Sequence, residues 1–94
     1  MKAIMDVVVA PTHGGGTCIR KIFEVPFAPF KGMDISCGAW KSERKVISVT
    51  LCLDDGDPYI HIGMGIDEVK TDDEMDKRLA VYKMHGWKEP TLND

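Results

Sequence analysis

The sequence has no apolar run long enough to span a membrane, no cluster of basic residues and no closely spaced cysteine pair. Each lack removes a class of function. Twelve Lys and Arg against fifteen Asp and Glu leave a formal charge of -3, and no basic run is longer than Arg44-Lys45 or Lys77-Arg78. Such a chain has no broad positive field to hold a phosphate backbone, so nucleic acid is not an expected partner. Membrane insertion is not expected either. Asp6 interrupts the first ten residues, which carry no cleavage-site pattern of a secretory leader. Cys18, Cys37 and Cys52 are odd in number and far apart, which fits neither a disulfide framework nor the short spacings of a zinc site. Reduced thiols in a cytoplasmic protein are expected.

Cofactor and metal signatures are equally sparse. Gly14-Gly15-Gly16-Thr17 offers consecutive amides for an anion, but a phosphate loop needs a helix after its glycines, and here the strand-like Cys18-Ile19 follows. The loop reads as a hairpin tip. Asp54, Asp55 and Asp57 around Gly56 give part of a calcium loop without its later ligands or its bidentate glutamate, and a solvated turn is the simpler reading. Neither a cofactor nor a metal is expected. No internal repeat, low-complexity tract or family motif is present.

What is present is alternation. The 94 residues suffice for one domain, 1–94, and 44% apolar content is ordinary for a folded one. Residues 3–10 form a Val-rich run that stops at Pro11, and after the glycine loop the pattern resumes over 18–25, giving a hairpin. In its second arm Ile19, Lys21 and Phe23 share a face, with the lysine out of character. The two prolines of residues 25–30 suit a sheet edge. Met33, Ile35, Cys37 and Ala39 then alternate with Asp34, Ser36, Gly38 and Trp40, which predicts a third strand. The runs 46–53 and 59–66 complete a meander, with charged or acidic turns between.

Those last two runs divide residues most clearly. Ile47, Val49, Leu51 and Leu53 fall with Ile60, Ile62, Met64 and Ile66, while Ser48, Thr50 and Cys52 fall with Tyr59, His61, Gly63 and Gly65. The first set predicts a core face, and the second a surface that is neither greasy nor strongly charged. Thr71-Asp72-Asp73-Glu74 has the form of a capping box, and Met75, Leu79 and Tyr82 follow at helical spacing to a stop at Gly86, with Trp87 placed to fold back. The expected fold class is therefore α+β. It is a single antiparallel sheet of about five strands, open or curled toward a half-barrel, with one C-terminal helix on its aliphatic face.

The candidate site is the mixed face. His61 is its one side chain that titrates near neutrality, and the neighbouring glycines bare the backbone for close approach. Ser48, Thr50, Tyr59, His61, Gly63 and Gly65 are the expected contact residues, bordered by Trp40, for a small-molecule ligand or a second subunit. A homodimeric cytoplasmic binding module is the leading expectation. An alternative is a small enzyme with His61 as general base and Tyr59 and Cys52 assisting, since an imidazole beside a thiol favours the thiolate. The plain readings are a surface histidine and a small buried cysteine. Ala80, Val81 and Met84 lie off the main helix stripe and give a third expectation, a docking face for another protein.

Overall fold

The computed structural model describes residues 1–53 and 56–90. The acidic turn expected at Asp54 and Asp55 and the end of the expected tail, 91–94, lie outside those residues. Among the described residues six strands and one helix follow in order: β1 (Lys2–Pro11), β2 (Thr17–Glu24), β3 (Asp34–Ile35), β4 (Arg44–Lys45), β5 (Ser48–Cys52), β6 (Tyr59–Val69) and α1 (Asp72–Met84). The fold is α+β, as expected, but the sheet differs from expectation.

The main sheet has four strands in the order β2-β1-β6-β5. β2 and β5 run antiparallel to their neighbours, whereas β1 and β6 lie side by side in parallel, Ala3 beside Ile60 and Val9 beside Asp67. The sheet is thus mixed, and not a single antiparallel one. The physical reason lies in apolar content: β1 and β6 are the longest strands and carry most of the buried side chains, so they take the two central positions. Central neighbours in this chain point the same way.

Of the expected third strand, only Asp34–Ile35 pairs, with Arg44–Lys45, in a separate two-stranded ladder. The chain then turns, Trp40 N–H donating to the Cys37 carbonyl at 3.0 Å. Gly38 explains why it leaves strand geometry here: its bare backbone abuts the His85 ring, which a Cβ would approach to 2.9 Å. Met33, Ile35, Cys37 and Ala39 all pack against the core, and so does Trp40, which alternation places on the other face.

That core lies between the sheet and a layer formed by α1 and the 33–46 segment. Ala3, Met5, Val7 and Val9 of β1, Ile60, Ile62 and Met64 of β6, and Leu79 and Tyr82 of α1 are buried in it. Ile47, Val49, Leu51 and Leu53 are not; they are 36 to 71% exposed. β5 is an edge strand, and α1 packs on β1 and β6. Half of the expected core face therefore stays in contact with water.

Ile66 also departs from its expected face, being 62% exposed. Between Asp6 opposite Gly63 and Val8 opposite Ile66, β6 carries one residue more than β1. This bulge falls at Gly65, whose φ of +84° is a conformation other residues adopt at a cost. Past it the faces exchange, so Asp67 and Val69 point inward and Ile66, expected in the core, points outward.

The helix termini follow the sequence closely. Thr71 Oγ1 accepts from Glu74 N–H at 3.1 Å, and the Glu74 carboxylate accepts from Lys70 N–H at 3.0 Å. Beyond Gly86, Trp87 folds back, its N–H donating to the Tyr82 carbonyl, and its ring meets Tyr82 edge-on at 5.2 Å. Lys21 has its own reason to lie on the helix side of β2. Its ammonium donates to the His85 carbonyl at the helix end, 2.8 Å away.

Candidate functional site

The face of the sheet opposite α1 carries no covering layer among the described residues, and register decides what meets there. Ser48 lies opposite Gly63, Thr50 opposite His61, and Cys52 opposite Tyr59. These six share one face, as period-two alternation required. Gly65 leaves the group because it forms the bulge. Trp40 is on the other side of the sheet: its indole N–H donates to the Tyr82 hydroxyl at 2.7 Å, and its ring is 5.8 Å from that of Trp87. It borders the helix, and not the His61 face, because the strand that was to carry it turns at Cys37.

The centre of the face is a charged cluster that spans three strands. His61 Nε2 meets the Asp6 carboxylate, and Asp6 accepts from Arg20 Nε at 2.8 Å and from a terminal nitrogen of the same guanidinium at 3.3 Å. Asp6 and Arg20 are direct cross-strand partners in the β1–β2 pair. Their side chains are 34% exposed for His61, 24% for Arg20 and 16% for Asp6. Partial burial would raise the Asp6 pKa, but the hydrogen bonds and positive charge of Arg20 and His61 outweigh that and hold it below the ordinary carboxylate value. Burial pushes the nearby Cys18 thiol up, with the Asp6 charge adding and Arg20 opposing. Cys18 is accordingly a poor nucleophile.

Around this cluster the face is apolar and graded in exposure. Ile4 is buried, Val8 half-buried and Ile22 exposed, and Lys2 places its ammonium 5.7 Å from the Tyr59 ring centre. Cys52 is one cross-strand pair removed from His61, and its thiol faces the Thr50 carbonyl at 4.0 Å. Among the described residues no group of three or more His, Cys, Asp and Glu side chains is placed to hold a metal ion.

Reading the sequence from 46 onward missed Asp6 and Arg20. Asp6 is the signal, as the one charge within the apolar run of residues 3–10. It needed a partner, and Arg20 alternates onto the matching face of the next strand.

A second polar cluster was missed entirely. Asp67, buried on the helix side, accepts from the Tyr82 hydroxyl at 2.8 Å and from one Arg78 nitrogen at 3.0 Å to each oxygen, and Arg44 stands 3.6 Å away. Burial and the adjoining Asp67 carboxylate push the Tyr82 hydroxyl well above the usual tyrosine range.

No protein-family model, curated protein or solved structure matches this chain. No helix of the described residues is long and apolar enough to cross a membrane.

Proposed function

We infer that the protein is a small cytoplasmic binding module that works as a homodimer, with the uncovered sheet face as its contact surface. The observation that carries this reading is the composition of that face: an internally matched Asp6–Arg20–His61 cluster ringed by Ile4, Val8 and Ile22. Charges already satisfied within one copy cost little more to cover, whereas an unmatched charge would resist burial. At the rim Glu24 pairs with the N-terminal ammonium of Met1 at 3.0 Å, and Lys2 lies against the Tyr59 ring. A face whose central charges are paired within one copy repels a twin only weakly, and a second copy is the occupant we infer for it. The free cysteines fit a reducing compartment.

Light scattering tests this directly. The wild type should have twice the 10.5 kDa chain mass, and Thr50→Arg or Ile22→Glu, both at exposed positions on the face, should halve it. A monomeric wild type, or variants that remain dimeric, would exclude the face as the interface.

The enzyme reading gains one observation, an imidazole oriented by a carboxylate, which is the arrangement a general base uses. Of the two expected assistants, Cys52 stands directly opposite Tyr59, one cross-strand pair from His61. Alkylation of Cys52 at the rate of an unactivated thiol, unchanged in His61→Gln, would leave that reading without support.

A further inference from the structure

On the helix side, away from the inferred dimer face, a groove of about 320 Å³ runs between α1 and the turn that precedes β4. Trp40, Lys41, Ser42, Arg44, Arg78 and Val81 line it, and no acidic residue does. In a chain of net charge -3 this is a local concentration of positive charge. Its origin is the inward-facing Asp67. That carboxylate, only 6% exposed, anchors Arg78 from one side while Arg44 approaches from the other, donating also to the Ile66 carbonyl at 2.8 Å. One buried negative charge thus fixes two guanidinium groups. The balance is one net positive charge from the three, and Lys41 adds another at the rim.

Arg78 engages Asp67 through a single terminal nitrogen, and Arg44 uses its two terminal nitrogens. A guanidinium carries five N–H donors, so each retains capacity for an incoming oxyanion. Both are held before any ligand arrives, which removes much of the ordering cost of binding. Trp40, itself pinned through its indole N–H to Tyr82 and with the Arg44 guanidinium 5.8 Å from its ring centre, supplies an aromatic wall beside the charge, and Val81 adds apolar surface. The volume is at the small end of those that hold metabolites.

We propose that this groove binds a small phosphomonoester, its phosphate against Arg44, Arg78 and Lys41 and its apolar or planar body along Trp40 and Val81. A tetrahedral dianion offers three terminal oxygens to donors arriving from different directions, which suits two separately anchored guanidiniums better than a single carboxylate would. The site is independent of the sheet face on which dimerisation was argued.

Phenyl phosphate is the probe, titrated into the intact protein by calorimetry and followed by tryptophan fluorescence, with inorganic phosphate and phenol as the two halves of the ligand. Phenyl phosphate should bind with a dissociation constant on the order of 1 mM or tighter. Inorganic phosphate should bind at least several-fold more weakly and phenol without saturation. Affinity should fall as salt is raised.

Val81→Glu, at a position 38% exposed, puts a negative charge in the groove without disturbing the Asp67 cluster, and should abolish binding. Lys41→Gln should weaken it several-fold, and Lys77→Gln, outside the groove, should leave it unchanged. Circular dichroism of each variant establishes that it is folded. Failure of folded wild type to saturate with phenyl phosphate would overturn the proposal, as would binding that survives Val81→Glu.

Discussion

Replacing Tyr82 by Phe isolates the polar link between helix and sheet while keeping the ring. The hydroxyl donates to Asp67 and accepts from the Trp40 indole, at 2.8 and 2.7 Å, and the residue has no solvent exposure. A hydrogen bond to a charged group contributes about 1.5–3 kcal/mol, and stranding a buried donor costs about 1–3 kcal/mol. Arg78 still satisfies Asp67 in the variant, and Trp40 is partly exposed, so the lower halves of both ranges apply. The expected loss is about 2–4 kcal/mol, or roughly 10–25 °C in Tm for a domain of this size. Urea unfolding followed by tryptophan fluorescence measures it, with an unchanged slope showing that the denatured state is not the source. A double-mutant cycle with Trp40→Phe should give a coupling of about 0.5 kcal/mol or more, as expected for directly bonded neighbours. A Tyr82→Phe loss below about 0.5 kcal/mol, the range of ordinary surface substitutions, would refute the view that this hydroxyl joins the layers.

Three further outcomes follow from the geometry. Because the folded-state pKa of Asp6 is depressed, its contribution to stability is complete above the unfolded value near 3.8 and is lost as pH falls through the lower folded value. Asp6→Asn should therefore flatten the acid limb of a Tm-against-pH curve, and an unaltered limb would mean that Asp6 is not held low. Gly65→Ala must adopt a φ of +84° and bring its methyl to 3.2 Å from the Ile47 side chain, so a loss of about 1–2 kcal/mol is expected in thermal melts. Leu51→Lys on the exposed edge strand should change stability by no more than about 0.5 kcal/mol and reduce aggregation, whereas Ile62→Ala should cost about 2–5 kcal/mol. Equal losses in the two would mean that the β5 side chains are covered after all.

Features set by neighbouring residues are legible in the sequence. The capping box at Thr71, the helix stop at Gly86 and the first hairpin depend on residues within a few positions of one another. The facing of Ser48, Thr50, Tyr59, His61 and Gly63 follows from alternation alone. Two kinds of information were out of reach. Strand order is a competition among all strands for central positions, and nothing near β6 in sequence announces that β1 will be its parallel neighbour. A bulge inverts every later side chain, so Ile66 leaves the core face that counting assigns it and Asp67 turns inward. Gly65 in a strand was the visible hint of that, and a glycine there does not by itself distinguish a bulge from a bare patch. The site was legible in part for the same reason. Its β5 and β6 half came from one hairpin-like pair, and its Asp6 and Arg20 half required knowing that β1 adjoins β6.

That adjacency also governs how the molecule comes into being. β1 and β2 can pair as soon as both have left the ribosome, since only a short glycine loop separates them. The other edge of β1 has no strand to pair with until β6 is made, after the entire 25–58 stretch. Closing so long a loop is entropically slow, and until then a valine-rich strand stands with one row of amides and carbonyls open. For that interval the most aggregation-prone element of the nascent chain is the one that ends at the centre of the finished sheet, and β6 is the strand that protects it.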